Sequence, residues 1–99
     1  MNFPTQMYID GALTDGAAVI DVVNPATETH VATVATAGMD DAERALLSAK
    51  AAFSMWSKTP ISERQKWMLR LRDEVVVNEE FLRECIHHEM GKPWEQTFE

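Results

Sequence analysis

The chain has a single cysteine, Cys85, among its 99 residues. No intrachain disulfide can brace it, and that usage is compatible with a reducing, cytoplasmic setting. No apolar run approaches the roughly 20 residues that a membrane-spanning helix requires. The N-terminus, Met1-Asn2-Phe3-Pro4-Thr5-Gln6, lacks the basic region and apolar core of a signal peptide. Basic residues are few: 9 Lys and Arg stand against 16 Asp and Glu, for a formal net charge of −7. They are scattered among the acids, so no clustered positive patch favours nucleic acid or an anionic membrane. Glycine-rich phosphate loops are missing, both G-x-G-x-x-G and G-x-x-x-x-G-K-[ST]. Ser48, Ser54, Ser57 and Ser62 fall within or beside helical patterns, and none lies in a nucleophile elbow. What remains is ordinary globular material, 45% apolar and 25% charged, too apolar for disorder. Its length allows one small domain at most, marginal without partners.

The first third reads as strands and turns. Met7-Tyr8-Ile9 is a short apolar run closed by the turn pair Asp10-Gly11, and Asp15-Gly16 is a second turn. Val19–Val23 is β-branched and strand-like until Asn24-Pro25 ends it, since proline lacks the N–H of a central strand. His30–Thr36 alternates with period two and suits a half-buried strand. After Gly38 the period becomes helical. Ala42, Ala45, Leu46, Ala49, Ala52, Phe53 and Trp56 follow i, i+3, i+4, i+7 spacing, and Asp40, Asp41 and Glu43 crowd the start, where negative charge suits the helix dipole. Thr59-Pro60 predicts a second helix, with threonine as N-cap and proline in its first turn. Trp67, Met68, Leu71, Val75 and Val76 are its apolar stripe. Asn78 is placed to cap a third helix running through Cys85 and Ile86 to Gly91, a left-handed C-cap. Pro93 opens a fourth, with Trp94 and Phe98 on one face. The expectation is a small antiparallel β element, three helices, and a fourth helix that the chain's end truncates.

Cys85, His87, His88 and Glu89 form the densest group of reactive side chains. Helical spacing puts Cys85 on one face with His88 and with Glu89, but nothing elsewhere supplies a second pair of ligands for zinc, and the histidines lack the i, i+4 spacing of a metalloprotease helix. A packed cysteine flanked by solvated histidines is the expected arrangement. Glu84 would raise the Cys85 thiol pKa, not lower it. Trp56, Trp67 and Trp94 recur with other apolar residues and suit packing better than a stacking platform. Read from its residues alone, the chain carries no catalytic constellation and no cofactor-binding residues.

Five segments in order and register carry a resemblance. They are Met7-Tyr8-Ile9-Asp10-Gly11, Ile20 through Asn24-Pro25-Ala26-Thr27-Glu28, Ala45 through Phe53 with Trp56, Glu63-Arg64, and Glu89-Met90-Gly91-Lys92-Pro93. Together the chain from about Met7 to Glu99 resembles the N-terminal segment of NAD(P)-dependent aldehyde dehydrogenases. One departure is Glu28, where the family usually has glycine in the turn before the third strand.

The resemblance implies an α/β parent in which residues 1–99 form the outer, N-terminal and incomplete portion of a Rossmann-type cofactor domain, with strands and turns over 7–37 and helices over 38–99. It implies an activity, oxidation of an aldehyde to a carboxylic acid through a cysteine thiohemiacetal, with hydride passed to NAD or NADP. The nucleophile, the base and the cofactor motifs belong to later parts of the family's chain, so this segment alone is expected to be inactive and to bind no cofactor. Its partners would be the remainder of the parent chain and, in the parent, a small aldehyde, with no nucleic acid and no membrane, in a cytoplasmic homo-oligomer. Some family members also hold a structural monovalent cation on main-chain oxygens. Two of the contributing places match Val22-Val23 and Glu89, and the third lies beyond Glu99. The alternative is a non-catalytic helical interaction module.

Overall fold

A computed structural model describes residues 2–98. The order is β1 (Met7–Ile9), β2 (Ala12–Thr14), β3 (Ala18–Val23), β4 (His30–Thr36), α1 (Met39–Trp56), α2 (Ile61–Val77), α3 (Glu79–Met90) and a 3₁₀ turn at Trp94–Gln96. These elements fall into two units. One comprises the chain up to Val23 together with His30–Lys58, and the other comprises Asn24–Thr29 together with the chain from Thr59 onward.

In the first unit, β1 and β2 form an antiparallel hairpin with Ile9 opposite Ala12. Asp10 and Gly11 are the two loop residues and both have positive φ, 53° and 76°. That pattern matches the right-handed twist of the flanking strands and suits aspartate and glycine. The aspartate carboxylate also accepts a 2.8 Å hydrogen bond from Ser48 on α1. Strand β2 had no periodicity of its own at three residues, and only its turn announced it. β3 and β4 make a second two-stranded antiparallel sheet, from Ala18 opposite Thr36 to Val22 opposite Ala32. Val23 then pairs with His30, so the register slips by one and Val31 is the extra residue of a bulge. At the start of α1, the Gly38 N–H donates to the Asp41 carboxylate at 2.9 Å. Asp41 also accepts from Arg44 at 2.9 Å. These contacts hold the Asp41 carboxyl below the usual carboxylate range, the Gly38 N–H being the larger cause.

In the second unit, three expectations shift. Pro60, expected inside the first turn of α2, is its N-cap: ψ is extended at 146°, and its carbonyl accepts from Glu63 and Arg64. Thr59 therefore lies one residue outside, where a residue preceding proline disfavours helical geometry. Asn78 is at once the C-cap of α2 and the N-cap of α3. Its side chain serves the helix behind it, donating to the Glu74 carbonyl at 2.8 Å. The fourth helix expected after Pro93 is, within the described residues, the 3₁₀ turn Trp94–Gln96. Gly91 behaves as expected, a left-handed C-cap with φ 67° whose N–H donates to the His87 carbonyl.

No apolar side chain among the described residues is fully buried; Asn24 and Thr97 are the only buried residues. Trp56 and Trp67, expected to pack, are 42% and 54% exposed. No described helix is long and apolar enough to cross a membrane.

Candidate functional site

The predicted main-chain ligands sit at two element ends. Val22 and Val23 are the last residues of β3, at the bulge where regular pairing with β4 breaks. Glu89 is the penultimate residue of α3. Its carbonyl is one of the last four of the helix, which have no intrahelical N–H to accept from. The Glu89 oxygen is thus without a helical donor at the negative end of a helix, the chemistry a hard monovalent cation seeks. Among the described residues no group of three or more His, Cys, Asp or Glu side chains is placed to hold a metal ion.

The loop after Val23 is tightly built. The Asn24 side-chain oxygen accepts from the Ala26 N–H at 2.9 Å. The Asn24 N–H donates to the Thr29 carbonyl, and the Glu28 N–H donates to the Asn24 carbonyl. Pro25 and Ala26 then meet Gly91: a Cβ on that glycine would stand 3.1 Å from Ala26 Cβ and 3.2 Å from Pro25 Cγ. The two most distinctive segments of the sequence, Asn-Pro-Ala-Thr and Gly-Lys-Pro, are therefore in contact. Gly91 is needed there twice, for its positive φ and for its missing side chain. Glu28 carries the turn with φ 59°, in the left-handed region that glycine occupies freely. The departure at Glu28 leaves the turn geometry standing and places its strain on a glutamate.

The reactive cluster on α3 does not converge. Cys85 is half-buried, and burial, then Glu89 and Glu84, push its thiol pKa up. That makes a poor nucleophile. His87 and His88, expected to be solvated, are half-buried. The His87 Nδ1 donates to the Lys92 carbonyl at 2.6 Å, and its ring meets Trp94 edge-on at 6.2 Å. Sequence reasoning missed Arg83. Its guanidinium lies 4.4 Å from the Trp94 ring centroid and 5.5 Å from that of Phe98. It also donates to Thr97 Oγ1 at 2.8 Å and to the Trp94 carbonyl at 3.2 Å. The shared face of Trp94 and Phe98 was the one signal that something should lie against them.

The sequence profile of the aldehyde dehydrogenase family matches residues 13–99. The chain is 38% identical over 89 residues to a 3,6-anhydro-alpha-L-galactose dehydrogenase of Vibrio sp. (strain EJY3), covering 88% of this chain and 18% of that one. It is 40% identical over 97 residues to an N-succinylglutamate 5-semialdehyde dehydrogenase of Burkholderia thailandensis, covering 96% of this chain and 20% of the relative. Among solved structures, a point mutant of betaine aldehyde dehydrogenase from Staphylococcus aureus, in complex with NAD+, superposes with a TM-score of 0.86 at 31% identity. That match covers 95% of this chain and 20% of the other. The chain spans about a fifth of the length of the proteins it matches.

Proposed function

The chain belongs to the aldehyde dehydrogenase family, and we propose that it is the N-terminal portion of the cofactor-binding domain of an enzyme that oxidises an aldehyde to a carboxylic acid with NAD or NADP as hydride acceptor. The observation that carries this reading is the family match over residues 13–99, supported by the meeting of its two signature segments at Gly91. The parent works as a cytoplasmic homo-oligomer on a small aldehyde, with chemistry supplied by residues outside this segment. The segment's own contribution is structural. Its helices pack against the rest of the parent, and the main-chain oxygens of Val22, Val23 and Glu89 are offered to a monovalent cation, with a third contributor from the remaining chain.

The test is to express the full reading frame of the parent alongside the 99-residue chain. The parent should form NAD(P)H in an aldehyde-dependent manner, and the short chain should give none and show no NAD+ binding by calorimetry. Micromolar binding of NAD+ to the short chain, or a parent inert towards a panel of aldehydes, would overturn the reading. For the cation, sodium or potassium should leave the melting of the short chain unchanged against a matched-ionic-strength control, because an incomplete site binds weakly and stabilises little. A rise specific to one cation would mean that the third ligand lies within residues 1–99.

A further inference from the structure

We draw no further inference here: the strongest candidate, the apolar groove lined by Val75, Val76, Leu82, Ile86 and Phe98 between the end of α2, α3 and the terminal 3₁₀ turn, is an open face of a segment that spans about a fifth of the length of the proteins it matches, and nothing in the structure shows what covers it.

Discussion

Replacing Glu28 with glycine should stabilise the loop between β3 and β4. Glu28 holds φ 59°, a conformation that costs an L-residue about 1–2 kcal/mol relative to the right-handed regions. Glycine carries no such penalty, but its unfolded chain has more freedom to lose, which returns about 0.4–1 kcal/mol. The net gain is therefore about 0.5–1 kcal/mol. Among the described residues no hydrogen bond of the Glu28 side chain offsets the strain, and the backbone N–H that donates to the Asn24 carbonyl at 2.8 Å is kept by glycine. The sensitive assay is native-state hydrogen exchange at the amides of Glu28 and Asn24, which report opening of this loop and not of the whole chain. A gain of 1 kcal/mol corresponds to about fivefold slower exchange. Glu28→Ala is the deciding control: it removes the charge and length of the side chain but keeps the Cβ, so it should change protection little. If alanine slows exchange as much as glycine does, the benefit comes from removing an acidic group and the argument from backbone strain is refuted. If glycine speeds exchange, the entropy of the unfolded chain outweighs the strain and the sign is wrong.

The mirror-image change, Gly91→Ala, should destabilise the end of α3 by about 1–2 kcal/mol from φ alone, and further because the new methyl would press on Ala26 and Pro25; faster exchange at the Ala26 amide would report it. Arg83→Met keeps the stem over the rings but removes the charge and the donors to Thr97 and Trp94, and should loosen the terminal turn by about 1–3 kcal/mol, visible as loss of the Trp94 near-UV signal. Acid should fray the start of α1. The Asp41 carboxyl titrates below its unfolded value, so its contribution is fully present above about pH 4 and is lost as pH falls through the lower folded pKa. The Asp21 carboxyl, held down chiefly by the Thr33 hydroxyl and then by His30, should behave the same way on the β3–β4 sheet. Asp41→Asn should flatten the acid limb of α1 helicity measured by circular dichroism; an unchanged limb would contradict the assignment.

The parts legible in the sequence were those that local physics fixes. The Asp10-Gly11 pair set the hairpin, the apolar period placed α1 and α2, and Gly91 ended α3 where a residue of positive φ was needed. Strand β2 was invisible because three residues cannot display a period, and its existence followed only from the turn before it. Thr59 falls outside α2 because the proline after it disfavours helical geometry there, whereas Asn78 is the N-cap of α3 as expected but its side chain serves α2, and spacing does not say which of two adjoining helices receives that bond. The candidate cation ligands came from the family resemblance, since main-chain oxygens leave no trace in side-chain identity. Arg83 was out of reach, because its partners lie 11 to 15 residues away across a turn whose form spacing does not specify.

Asn78 has a consequence for how this segment can vary in length. One residue closes α2 and opens α3, so the joint between the two helices contains no spare chain. Inserting a single residue there would turn α3 and the turn that follows it by about 100° about the helix axis, carrying Leu82, Ile86 and Phe98 away from Val75 and Val76 and Gly91 away from Ala26. A deletion would do the same in the opposite sense. The stretch from Glu74 to Leu82 should therefore behave as a fixed spacer among related sequences, with gaps collecting instead in the link between Ser57 and Pro60, where the chain leaves one helix well before it enters the next. Alignment gaps become a reading of mechanical phase, which substitutions at these positions would leave hidden.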